Sequence, residues 1–422
     1  MIVAIVFVVA IIIGVPIALM LGMCGITHMF VMDPSYLSAI GSKLFSSSNS
    51  LSMLAIPLFI LAGNLMGMSG DVKRLCDFCR ALLRHIKGGL CYITIVLGTL
   101  LGASLGSANA EAALLGSILY PELVKDGYGE EFSADLIGTV SIIGPIIPPG
   151  LPYIVYGVAA GCSIKDLFMA GIIPGVLIAV CLALSVFFMG RKRNWPKALR
   201  ASRHEVWVAF KKAAFSLLTP LLTLICIMTG VCTPTEAAAV LATLILFVGV
   251  VIYRKIKIKD LPKVFVEAAV LSAACLMIGA MGGLFGYTLA LDQVPTAIAN
   301  FITGLSTNRY VVLLLINILL LIVGCLMDAV PAIMILVPVL TPVIVKLGIN
   351  QVHFGFIMCL NLTIGLLTPP VGSLLYTTAA ATNLSADRMV KSIWWPWIAI
   401  LFAVLMIVTY CPFLTTWLPS IL

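Results

Sequence analysis

The chain has 422 residues, of which 62% are hydrophobic and 10% charged, and its formal net charge is +8. Its mean hydropathy of +1.17 lies outside the range of a water-soluble domain, so the solvent for most of its surface is a lipid bilayer. The positive charge does not mark a nucleic-acid binder, because 18 of the 25 Lys and Arg residues fall in three short stretches beside apolar segments, at Lys73–Lys87, Arg191–Lys212 and Arg254–Lys263.

Taken in chain order, the first apolar stretch, Ile2–Met20, has no basic leader and no small-residue cleavage site, so it reads as a retained first span. Apolar stretches recur from there to the C-terminus without the alternation of outer-membrane strands, which predicts an all-α polytopic membrane protein. The three basic stretches face the cytoplasm by the positive-inside bias. Cys76 and Cys79 form a C-x-x-C in the first of them, but no second pair and no suitably placed His completes a metal site. Most other cysteines stand singly in apolar runs and read as small hydrophobes.

Between Lys87 and Arg191 lie three apolar segments, near 91–120, 135–160 and 167–190. Three crossings would place Arg191 outside, so one segment enters and leaves on the same side. The first is the candidate re-entrant hairpin, because it carries Gly98, Gly102, Ser104, Gly106, Ser107, Asn109, Glu111 and Gly116, polar and flexible backbone that membrane depth tolerates only inside protein or along a cavity. The second segment contains Ser141-Ile-Ile-Gly-Pro-Ile-Ile-Pro-Pro-Gly-Leu-Pro152. Prolines without backbone donors force this helix to unwind, exposing carbonyl oxygens and the positive end of the following half-helix. Between Lys212 and Arg254, two helices are expected at 215–230 and 237–253, with Glu236 capping the second behind Thr233-Pro234-Thr235.

A displacement of 221 residues superimposes Pro121–Gly127 on Pro342–Gly348, and Ile143, Gly144, Pro148 and Pro149 on Ile364, Gly365, Pro369 and Pro370. The matches fall on Pro, Gly and Lys more than on the abundant apolar residues, which points to an internal duplication. The loop count orients the two units oppositely. The first inverted repeat is expected over 51–190, a cytoplasmic loop with two connecting helices over 191–265, and the second repeat over 266–418, with a hairpin near 310–346 and a broken helix near 354–382. Inverted repeats with broken helices are an architecture of secondary transporters, whose ligands bind where half-helix ends meet. The second break, Gly365-Leu-Leu-Thr-Pro-Pro-Val-Gly-Ser373, adds the hydroxyls of Thr368 and Ser373. The second hairpin contributes Asp328, an acid in a hydrophobic run, with Asn317 nearby. Ser107, Pro149, Gly150, Asp328, Pro370 and Ser373 are the candidate substrate-facing residues. Trp394, Trp395 and Trp397 beside Lys391 read as an interfacial anchor.

These motifs resemble those of a known family, the large membrane subunit (DctM or SiaM type) of tripartite ATP-independent periplasmic (TRAP) transporters. The resemblance runs along the whole chain and rests on Gly102-x-x-x-Gly-Ser107, Ile142-Ile-Gly-Pro-Ile-Ile-Pro-Pro149, Thr233-Pro-Thr-Glu-Ala237, Gly324-x-x-x-Asp328 and Gly365-Leu-Leu-Thr-Pro-Pro-Val-Gly372. It implies an elevator-type carrier in the bacterial inner membrane that imports a small organic acid with Na+ and has no organic cofactor. It also implies two partners, a small membrane subunit and a periplasmic substrate-binding protein. Carried over by position, one Na+ site would use Ser104, Ser107 and Asn109 with carbonyls around Gly144, Ile147 and Pro149, and the other Gly324, Asp328, Gly365 and Thr368. Many relatives have Ser after the first Pro-Pro where this chain has Gly150. No fused small subunit is expected, since the chain begins with the large subunit's own first span. The competing readings are a binding-protein-independent dicarboxylate or citrate-type carrier and a channel. An enzyme is disfavoured, because His28, His85, His204 and His353 lie far apart in sequence with no nucleophile or metal constellation around them.

Overall fold

In a computed structural model of the chain, residues 2–193, 195–306 and 308–421 are described, and among them all regular structure is helical. Among the described residues, seven helices are long and apolar enough to cross a membrane, or up to nine if each bent pair counts as one span. Their outward faces are greasy: Val176, Val180, Leu184 and Phe188 on Ile164–Lys192, and Leu314, Ile318 and Ile322 on Arg309–Leu326, are all exposed. Such faces suit hydrocarbon.

Two hairpins and two broken helices form the centre. The first hairpin pairs Gly89–Leu105 with Ala108–Lys125, and the second pairs Arg309–Leu326 with Ala329–Lys346. The first broken helix runs Glu130–Val140, Ile143–Ile146 and Leu151–Ala160, and the second Gln351–Gly365 and Ser373–Thr382. The ends coincide at the 221-residue displacement: Leu105 with Leu326, Ala108 with Ala329, Lys125 with Lys346, and Glu130 with Gln351. Both breaks contain a cis Pro-Pro peptide, at Pro148-Pro149 and Pro369-Pro370.

Packing in this centre is exchanged between the units. Each hairpin's first arm lies on its own unit's broken helix, Gly89–Leu105 on Ile143–Ile146 and Arg309–Leu326 on Gln351–Gly365. Each second arm lies on the other unit's final half-helix, Ala108–Lys125 on Ser373–Thr382 and Ala329–Lys346 on Leu151–Ala160. The own-unit contacts are glycine on glycine: a Cβ on Gly102 would lie 3.0 Å from the Gly144 Cα, and one on Gly365 2.6 Å from the Gly324 Cα. Arg388 of the Ala386–Ser392 helix joins this block through ion pairs to Glu130 and Glu131 at 2.9 and 3.0 Å.

Around the centre, Ala55–Ser69 packs on Pro234–Phe247, and Ile17–Met32 packs on Leu261–Leu291, the latter pair closed by His28 and Asp292 at 2.8 Å. The helix Asp71–Leu83 packs on Arg203–Met228. There Asp71, 4% exposed, accepts hydrogen bonds from the Ser69 and Ser216 hydroxyls.

Three expectations need correction. The first apolar stretch is not one helix through Met20: it ends at Ile13 and restarts at Ile17, because Gly14 adopts φ 77° and Pro16 lacks an N–H. The tryptophans are not all anchors. Trp397 is 1% exposed and packs on Phe132 with ring centroids 5.5 Å apart, whereas Trp395 is 81% exposed. Asn317 is not beside Asp328 in a site wall; it is a buried structural node that donates to the Leu313 carbonyl and the Thr409 hydroxyl and accepts from the Asn361 amide at 2.6 Å. Glu236 does cap its helix, accepting the Thr233 N–H at 2.8 Å.

Candidate functional site

The two hairpin tips meet at one cavity of about 810 Å³. The first tip turns at Gly106, whose φ of 60° suits glycine, and Ser107 then caps the returning arm by accepting the Ala110 N–H at 3.5 Å. A side chain on Gly106 would stand 2.8 Å from the Pro149 carbonyl, so the tip is pressed against the first break. The second tip has Asp328 at the same capping position, but its carboxylate turns to the second break and accepts the Ser373 hydroxyl at 2.7 Å. The Gly372 N–H donates to the Cys325 carbonyl at 3.0 Å and completes that tie.

Ser107, Asn109 and Asp328 line the cavity, together with Pro145 and Pro152 of the first broken helix and Thr363 and Leu366 of the second. The facing wall is apolar and comes from Pro16–Leu19 and from Leu271, Met277 and Ile278. Nothing in the sequence singled out that wall, since its residues are indistinguishable from lipid-facing ones. Among the described lining residues, Asp328 is the one formally charged group.

The remaining candidates take varied positions. Ser104 is 2% exposed with a hydroxyl that has no hydrogen-bond partner among the described residues, and the Asn109 side-chain oxygen is likewise unpartnered. The Thr368 hydroxyl donates to the Ile364 carbonyl at 2.9 Å. Gly144, Ile147, Pro149 and Gly150 are all buried in the first break, while Pro370 is exposed in the second and Gly324 and Gly365 pack on each other. Among the described residues, no backbone N–H donates to the carbonyls of Ile147, Pro148 or Pro149, nor to those of Thr368 or Pro369. Unwinding therefore leaves acceptors in both breaks, which suits a bare cation. Gly150 does not face the cavity: a Cβ there would fall 2.0 Å from the Pro145 carbonyl oxygen. Its lack of a side chain serves packing.

Cys76 and Cys79 lie one turn apart on Asp71–Leu83, both buried. Burial pushes the Cys79 thiol up to about 12, which keeps it protonated and poorly nucleophilic.

Two helical hairpins and two broken helices around a polar-tipped cavity match the architecture of membrane carriers of the secondary-transporter class. The family model for the tripartite ATP-independent periplasmic transporter, DctM component, matches residues 4–414, and the chain belongs to that family. It is 37% identical over 411 residues to the isethionate TRAP transporter permease DctMQ of Oleidesulfovibrio alaskensis, covering 96% of this chain and 64% of that protein. The chain thus spans less than two thirds of the length of that relative. It is 36% identical to the C4-dicarboxylate TRAP large permease DctM of Pseudomonas aeruginosa, over 95% of this chain and 93% of that one. Identity to the sialic acid TRAP large permease SiaM of Vibrio cholerae is 33%, over 97% and 95%. Among solved structures, the YdaH transporter of Alcanivorax borkumensis has a similar fold, with a TM-score of 0.60, 12% identity and 92% and 89% coverage.

Proposed function

We propose that this chain is the transport subunit of a Na+-coupled importer for a small organic acid, working in the bacterial inner membrane with a small membrane subunit and a periplasmic binding protein. The observation that carries this reading is the convergence of both hairpin tips and both broken helices on one cavity, of a size that holds a small solute. An organic anion entering there meets no Lys, Arg or His among the described lining residues, and Asp328 would repel it. Cations at the unpaired hydroxyl and carbonyl oxygens supply the missing positive charge, which couples solute to Na+. In this role Ser104, Ser107 and Asn109 with the carbonyls of Gly144, Ile147 and Pro149 hold one ion. Gly324, Asp328, Gly365 and Thr368 hold the other. Ser107, Ser373, the chain around Pro370 and the half-helix N-termini contact the acid.

An elevator motion is compatible with the packing. Hairpins and broken helices interlock by the exchanged contacts and would travel as one block. The facing wall is lined by Pro16, Ile17, Ala18, Leu19, Leu271, Ala274, Met277 and Ile278 with the thiol of Cys275, so motion along it would leave few polar groups unpaired. The relatives' names span isethionate, C4-dicarboxylates and sialic acid, all acids, which sets the class of solute to test. The experiment is uptake into proteoliposomes carrying the complete transporter, with labelled acids screened in the presence and absence of the cognate binding protein. Saturable uptake of one acid that requires the binding protein is the expected result. Uptake undiminished without that protein would favour a self-sufficient carrier, and flux linear in solute would indicate a channel.

A further inference from the structure

The first hairpin buries a carboxyl group that the cation ligands named above do not include. Glu111 is 0% exposed, and neither of its carboxyl oxygens has a hydrogen-bond partner among the described residues. Space is reserved for it: a Cβ on Gly98 would stand 2.7 Å from Oε1, and one on Gly144 2.3 Å from Oε2. The same point beside Gly144 lies 3.6 Å from the Ser107 carbonyl oxygen. The carboxyl is therefore wedged between the hairpin's first arm and the short helix Ile143–Ile146, against the residues whose oxygens would hold the first ion. The unpartnered oxygens of Ser104 and Asn109 belong to the same hairpin. An isolated acid at membrane depth costs several kcal/mol unless something compensates it, and no Lys or Arg among the described residues is hydrogen-bonded to it.

The two units differ in formal charge at their ion sites. The second has Asp328, whereas every ligand proposed for the first is neutral. We propose that the Glu111 carboxylate supplies the negative charge of the first Na+ site, acting at its Gly144 edge, so that each unit pairs one carboxylate with one cation. This rests on the Na+-coupled reading and adds a residue to it.

The test uses the purified full transporter complex and measures its melting temperature during titration with NaCl at constant ionic strength, balanced with choline chloride, alongside equilibrium binding of radioactive Na+. For Glu111→Gln we expect an unchanged melting temperature in choline, a half-saturating Na+ concentration raised about tenfold or more, and loss of one bound Na+. Glu111→Asp keeps the charge but retracts it and should fall between the two. If Glu111→Gln binds Na+ as the wild type does, the proposal is overturned. If that variant does not fold, Glu111→Asp decides: a raised Na+ requirement supports the proposal and an unchanged one overturns it. A wild-type complex indifferent to Na+ would instead overturn the coupling on which the proposal depends.

Discussion

The two units share element ends but differ in how their tips are held. In the second, Asp328 bonds Ser373, Gly372 bonds Cys325, Thr368 bonds Ile364, and Asn317 links Asn361 to Thr409. In the first, the tip is pressed on the break by close packing at Gly102, Gly106 and Gly144, while Ser104, Asn109 and Glu111 keep oxygens without partners. The first break is buried throughout, whereas Val371 of the second is 46% exposed. Both breaks keep carbonyl oxygens without a backbone donor, but near the tips the Asp328 and Thr368 side chains are hydrogen-bonded whereas Ser104, Asn109 and Glu111 keep side-chain oxygens without a partner among the described residues. A buried acceptor without a donor costs about 1–3 kcal/mol, so the first unit gains more from a bound cation.

The largest effect expected from breaking this comparison is at the glycine contacts. Gly365→Val places a branched side chain 2.5 Å from the Gly324 carbonyl carbon and should destabilise the protein by about 3 kcal/mol or more, abolishing uptake. Gly102→Ala, at 3.0 Å from Gly144, should be milder, by about 1–2 kcal/mol. Thermal unfolding of the two variants measures the difference. Next comes Asp328→Asn, which keeps shape and loses charge. It should lower Na+-driven uptake about tenfold or more while the protein still folds; unchanged Na+ dependence would remove Asp328 from the coupling site. A smaller, sharper contrast is Ser104→Ala against Thr368→Val. The first removes a hydroxyl without a partner among the described residues and should keep or raise the melting temperature in choline while raising the Na+ requirement several-fold. The second removes a hydrogen bond to Ile364 and should cost about 1 kcal/mol of stability. The smallest effect concerns access. In a cysteine-free background, Val371→Cys should react readily with a maleimide, and Ile147→Cys, at 8% exposure, should react slowly.

Much of the centre was legible because it is written in residues with strong backbone consequences. Pro148-Pro149 and Pro369-Pro370, Gly106 at the first tip, and Gly127 and Gly348 closing the matched Pro-x-x-Val-Lys-x-Gly runs mark where helices stop, and those stops depend little on what surrounds them. What stayed hidden depends on surroundings. A helix in lipid is apolar on every face, so its composition does not reveal which side is packed. Composition therefore does not separate the buried Trp397 from the exposed Trp395, nor the apolar wall of the cavity from a lipid-facing surface. Asp71 lies two residues from Lys73 and looks like part of a solvated basic stretch, yet it is a buried hydroxyl-bound node. Asn317 and Asn361 are 44 residues apart, and nothing in their spacing announces that they pair. At Gly150 the close approach of the Pro145 carbonyl oxygen, 2.0 Å from where a Cβ would stand, has no signature in the sequence.

The central claim is that the two halves bind cations which carry the acid across. The most direct measurement is the initial rate of acid uptake by the reconstituted complex with its binding protein under an inward Na+ gradient, and with Na+ replaced by choline at equal ionic strength. Uptake should saturate with Na+ and vanish without it; uptake at the same rate in choline would contradict cation coupling.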